Sequence, residues 1–202
     1  MLQMSSDYIK MEGGINMNVK KYGEIWYLIG DLPRLNGNGY RLLNHLLFEG
    51  ASTQIQISET RAWKFSSVSN TMRRLYEMGL VECFAKDKKF VYSFNYCWAN
   101  ENLDKALPVV NGELEINKEL NDNLLRKIIY KVSDISQMTA NCYRVYGDVL
   151  MYGPTTRKEV YERREWKIAG VNQSFQKLID WGLLECEKEN GKDTYSAKLS
   201  VD

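Results

Sequence analysis

The chain has 202 residues, 44% of them hydrophobic and 26% charged, with a formal net charge of +1. That balance is ordinary for a soluble globular protein, and no apolar run approaches the ~18 residues of a membrane-spanning helix. Residues 1–17 carry no apolar stretch flanked by basic residues, so no secretory leader is expected and the cytoplasm is the expected location. Met4, Met11 and Met17 are alternative starts for the chain.

In chain order, the first apolar segment is Ile25 to Leu32, an added helix or strand that periodicity alone does not distinguish. Tyr40 to Phe48 has leucines at helical spacing (Leu42, Leu43, Leu46, Leu47) and stops at Gly50, which reads as a helix with a C-terminal glycine. Thr53 with Gln56 three residues on is a capping box and starts a short second helix that ends near Ala62. A third helix is expected from about Ser67 to Met78, with Val68, Met72, Leu75 and Tyr76 as its apolar stripe and Gly79 as its stop. Leu80 to Phe84 and Phe90 to Phe94 read as two strands joined by the polar turn 85–89. A linker from Asn95 to Leu124 contains Pro108 and Gly112, then an expected helix from Asn117.

From Ile128 the pattern starts again. Residues 25–93 align without a gap on 128–196, and 22 of the 69 pairs are identical. Gly50 meets Gly153, Trp63-Lys64 meets Trp166-Lys167, Thr53 meets Thr156, which has the same capping box with Glu159, and Gly79-Leu80-x-Glu82-Cys83 meets Gly182-Leu183-x-Glu185-Cys186. A self-match of this length means one small folding unit used twice. The expected division is an N-terminal arm 1–24, a first domain 25–94, a connector 95–124 of structured residues, and a second domain 125–202. The charges of the copies differ. Residues 25–93 hold nine Lys/Arg and six Asp/Glu, residues 128–196 ten of each, and residues 94–127 four against six.

Helix, short helix, helix and a two-stranded hairpin make a helix-turn-helix with a wing. The stretch from Thr53 to Val81 resembles the winged-helix domains of MarR-type and ArsR-type regulators and of plasmid replication initiators. Their third helix reads as a small polar residue, Val, polar residues, Leu, two polar residues, Leu, then Gly-Leu-Val. Ser66-Ser67-Val68 through Leu75 to Gly79-Leu80-Val81 fits that pattern, and Ala169-Gly170-Val171 through Leu178 to Gly182-Leu183-Leu184 fits it less tightly. The expected fold class is therefore mainly α with small β-hairpins (α+β), built as two tandem winged-helix domains related by internal duplication. The resemblance implies sequence-specific binding of double-stranded DNA, as a transcriptional regulator or a replication initiator. The alternative is a tandem winged-helix interaction scaffold of the chromosome-condensation type, with little affinity for DNA.

In such a domain the third helix enters the major groove. The candidate DNA-contacting residues of the first copy are Ser66, Ser69, Asn70 and Arg73 on that helix and Lys64 just before it. Asn suits adenine and Arg suits guanine or phosphate. Lys86, Lys88 and Lys89 on the hairpin tip are candidate phosphate clamps. In the second copy the matching candidates are Lys167, Asn172, Gln173 and Gln176, and its hairpin (187–193), with three acidic and two basic residues, suits phosphate poorly. A homodimer or a protein partner through the second domain is a further expectation. Arg61 and Arg164 are expected to support the neighbouring lysines, and Trp63 to pack in the core between the second and third helices. His45, the one histidine, sits among leucines and is expected to be structural or a surface residue. Cys83, Cys97, Cys142 and Cys186 form no C-x-x-C pair and are expected as buried thiols. Gly37-Asn38-Gly39 reads as a turn before a helix and not as a phosphate loop, and neither a metal-ligand cluster nor a nucleophile–base pair is visible in the spacing. The chain is expected to be no enzyme and to hold no metal or cofactor.

Overall fold

The computed structural model describes residues 17–189 and 191–200. Most of the N-terminal arm, including Met4 and Met11, lies outside the described residues. Small polar side chains set most of the helix starts. Asn18 begins α1 (Val19–Gly30), Asn36 begins α2 (Gly37–Glu49), and Thr53 begins α3 (Gln54–Arg61), each by accepting a hydrogen bond from a backbone N–H of the first turn. At Thr53 the full capping box forms: its hydroxyl accepts from the Gln56 N–H at 3.1 Å, and the Gln56 side chain accepts from the Thr53 N–H at 2.8 Å. Ala62 ends α3 in a left-handed conformation (φ 51°), so the turn to α4 (Phe65–Glu77) is tight. That turn starts α4 two residues before the expected Ser67. The chain then forms β1 (Val81–Lys86) and β2 (Lys89–Phe94).

Residues 95–117 contain α5 (Tyr96–Glu101), a 3₁₀ turn (Leu103–Ala106) and α6 (Leu107–Val110); the 3₁₀ turn and α6 pack back on α1 and bury Ala106 and Val109. No helix begins at Asn117. Its N–H donates to the Met151 carbonyl at 2.7 Å and its side chain turns the backbone at Glu119, so α7 (Asp122–Ser133) starts later, capped by Asn121. The order is then repeated by α8 (Ala140–Tyr152), α9 (Arg157–Arg164), α10 (Ile168–Asp180), β3 (Leu184–Glu189) and β4 (Lys192–Ala197). Each of α7–α10, β3 and β4 begins and ends 103 residues after its counterpart among α1–α4, β1 and β2. The correspondence reaches upstream to Val19 and Asp122, and the segment around Ile25 is helical.

The fold is mainly helical with two small antiparallel sheets. β1 pairs with β2 from Val81↔Phe94 to Lys86↔Lys89, and β3 with β4 from Leu184↔Ala197 to Glu189↔Lys192. Ser52 and Thr155 each add a bridge to the outer edge of their sheet, at Tyr92 and Tyr195. The turn between β1 and β2 puts Asp87 and Lys88 at positive φ (50° and 60°); in the second half Gly191 stands in the place of Lys88 at φ 78°.

One continuous apolar core runs through both halves. α1 packs on α8, α7 packs on α2, and α2 meets α8 between them. Gly37, expected to lie in a turn, is the first residue of α2, where a Cβ would strike the Met138 carbonyl of the other half. Tyr76 does not complete the apolar stripe of α4. Val68, Thr71, Met72 and Leu75 are buried, whereas Tyr76 has rotated past the contact and is 55% exposed. Only Cys142 of the four cysteines is buried. Cys83 and Cys186, on the hairpins, are half-buried and exposed respectively, because helices cover the hairpins on one side only, and Cys97 is exposed on α5.

Candidate nucleic-acid interface

The exposed side of α4 carries Ser66, Asn70, Arg73 and Glu77, with Ser69 half-buried at its edge. Arg73 lies 3.9 Å from Glu77, an exposed i,i+4 pair that holds the guanidinium only weakly. Lys64 stands at the start of α4, exposed, and no side chain caps that helix end. An uncapped N-terminus leaves donor N–H groups directed outward. Beside Lys64 a cavity of about 230 Å³ is lined by Asn38, Arg41, Trp63, Ser67 and Thr71. Lys86, Lys88 and Lys89 are exposed on the β1–β2 tip, with Phe84 and Phe90 exposed next to them.

The second half presents a different surface. Gln173 and Gln176 are exposed on α10 and Asn172 is half-buried. Gln176 donates to Asp180 at 2.9 Å, which occupies one of its two donors. Lys167 is exposed at an equally uncapped helix start. Where the first half has Ile55, Phe84 and Phe90, the second has Lys158, Glu187 and Asp193, all exposed. Both sets of sequence-identified residues thus lie on their own helix face and hairpin.

The arginines of the repeated Arg-x-Trp-Lys motif do not support the lysines; they cross to the other half. The Arg61 guanidinium lies 4.0 Å from the Tyr130 ring, donates to the Tyr130 carbonyl at 3.2 Å, and pairs with Asp134 at 3.2 Å. Arg164 does the same in reverse: 4.1 Å from the Tyr27 ring, 3.1 Å to the Tyr27 carbonyl, and 3.4 Å to Asp31. Trp63 is half-buried at this joint rather than in the core of its own half, and its indole N–H donates to Asp134 at 3.3 Å. Trp166 donates to Asp31 at 2.9 Å. Asp31, Asp134, Tyr27 and Tyr130 are unassigned by sequence reasoning. Their signal was present, because each is identical to its counterpart under the repeat.

Electrostatics beneath the joint also differ. His45 is buried, and burial together with the Arg61 charge lowers its pKa to about 4, against a smaller opposing pull from Glu49. Its counterpart Asp148 is fully buried and accepts from Arg164 at 2.8 Å and from Arg163 at 2.5 Å. Burial opposes the Arg164 charge, yet Asp148, Tyr152 and Asp31 outweigh it and its pKa is raised. No cluster of three or more His, Cys, Asp or Glu side chains with metal-binding geometry occurs among the described residues. No helix among them is long and apolar enough to cross a membrane. No family model and no curated protein sequence matches the chain.

Proposed function

We propose that each half is a winged-helix domain and that the chain binds double-stranded DNA, as a transcriptional regulator or a replication initiator. The observation that carries this reading is the first half's surface. An uncapped helix presents Ser66, Asn70 and Arg73, and the hairpin of the same half carries three exposed lysines at its tip. Hydrogen-bonding side chains on a groove-sized helix suit base edges, and cations on a flanking tip suit phosphates. Gel-shift titrations at two salt concentrations test it. Arg73→Ala should cost about 1–3 kcal/mol and relax preference at one base pair. Lys88→Ala with Lys89→Ala should weaken all sequences alike and flatten the salt dependence, whose log–log slope is about −0.9 per neutralised phosphate. Gln173→Ala with Gln176→Ala should matter less, because neither brings a cation. Absence of salt-sensitive binding to any duplex would sink the reading.

The second reading is an interaction scaffold of the chromosome-condensation type. The exposed aromatic side chains Phe84 and Phe90 and the net charge of +1 favour it. In that case the first-half hairpin would be the docking edge, and Phe90→Ser would abolish partner capture while leaving gel shifts blank throughout.

A further inference from the structure

The joint between the halves is reciprocal. Asp31 of the first half meets Arg164 and Trp166 of the second, and Asp134 of the second meets Arg61 and Trp63 of the first. α1 packs on α8 as α7 packs on α2. In the middle, Tyr40 stacks on its own counterpart Tyr143, with ring centres 5.4 Å apart and planes 16° from parallel. Residue i meeting j, j meeting i, and a residue meeting itself in the centre define an isologous contact about a two-fold axis. Two units joined head to tail would satisfy one aspartate and leave its duplicate idle. The chain is built as a symmetric dimer within one polypeptide.

A two-fold axis relates the outer faces as well: it carries α4 onto α10 and one hairpin onto the other. Duplex DNA has two-fold axes of its own, and a protein two-fold placed on one of them reads an inverted pair of half-sites. The faces themselves are unequal. The first offers Asn70, Arg73 and a lysine-rich tip; the second offers Gln173 and Gln176 and a hairpin with three acidic and two basic residues. Arginine suits guanine and glutamine suits adenine. Resting on the DNA reading above, we propose that the chain takes an inverted pair of non-identical half-sites and lies on it in one orientation. The half under α4 would contain a guanine and carry most of the phosphate contacts; the half under α10 would lean to A·T pairs.

The test selects a pool of randomised duplexes with the full chain and remakes the recovered site in four forms. These are the site as recovered, the same site with one half reversed to a direct repeat, and the two palindromes made from either half. The recovered form should bind tightest. Reversal should lose at least about tenfold, because it misplaces several base contacts, each worth roughly that factor. The palindrome of the guanine-containing half should outbind the other and show the steeper salt dependence. A direct repeat that binds as well as the inverted form overturns the two-fold placement. Palindromes of equal affinity overturn the single orientation. Both of those outcomes leave DNA binding itself intact, whereas no salt-sensitive binding to any duplex removes the DNA reading and this proposal together.

Discussion

Arg61 and Arg164 occupy equivalent places, cross to equivalent aspartates and lie over equivalent tyrosines, yet the residues beneath them differ. In the second half Asp148 accepts from the Arg164 Nε and also holds Arg163, so the buried charge is paired within its own half. In the first half the equivalent place belongs to His45, which is neutral near pH 7; the Nε of Arg61 and the Nδ1 of His45 are buried without a hydrogen-bond partner. A second pair of positions has also diverged. Trp26 of α1 lies over Gly147 of α8, while the matching positions in the other crossing are Ile129 and Asn44. The aspartate–arginine–tryptophan contacts are kept in both crossings, whereas the helix crossing itself and the space beneath the arginines are filled in two different ways. Charged and hydrogen-bonded contacts across the joint are thus kept more strictly than the apolar packing around them.

Substitutions can break that comparison, and the largest effect is expected at Asp148. Asp148→Ala leaves Arg164, with a fully buried side chain, without its internal partner, and should cost about 3–5 kcal/mol in urea unfolding. A cost under ~1 kcal/mol would mean that Asp31 alone suffices for Arg164. The next effect is one of pH. Because the folded-state pKa of His45 is lowered from 6.5 to about 4, the unfolded chain takes up the proton first as pH falls. The stability contribution of neutral His45 is thus complete above pH 6.5 and is lost as pH falls through about 4, a loss of roughly 3 kcal/mol. His45→Gln should flatten the stability profile across that window, and an unchanged profile would show that other groups govern it. Gly147→Ala places a Cβ inside the Trp26 indole and should cost about 1–3 kcal/mol; the double variant with Trp26→Leu should recover part of it. The smallest effects belong to the caps. Thr53→Ala and Thr156→Ala should each cost about 0.5–2 kcal/mol, and by similar amounts, because the same capping box is present in both halves. Thermal melts in which one cap costs nothing would show that the halves do not share their second helix on equal terms.

Local signals were legible because they act over a few residues. The Thr53 and Thr156 boxes, the stops at Gly50 and Gly153, and both hairpins follow from capping, positive φ and alternation, and the structure has them at those places. The exposure of Asn70, Arg73, Gln173 and Gln176 followed from the apolar stripe of Val68, Met72 and Leu75 and its counterpart. In three places where local reasoning failed, a distant contact had taken over. Asn117 looked like a helix start but is held by the Met151 carbonyl. Gly37 looked like a turn residue but lies where the other half leaves no room for a Cβ. Arg61 and Trp63 looked like local supports, because nothing in a linear motif says that its side chains will reach a residue 71 positions away, as Trp63 does with Asp134.

By itself the sequence determined that its pattern recurs at an interval of 103 residues, where the capped helices begin and the glycine-stopped ones end, and which helix face is polar, since these rest on backbone geometry and hydrophobic period. Only the tertiary structure decided how the two units face each other. The reciprocal grip of Asp31 on Arg164 and Asp134 on Arg61 depends on packing α1 against α8 and α7 against α2, and that pairing is a property of surfaces brought together from opposite ends of the chain.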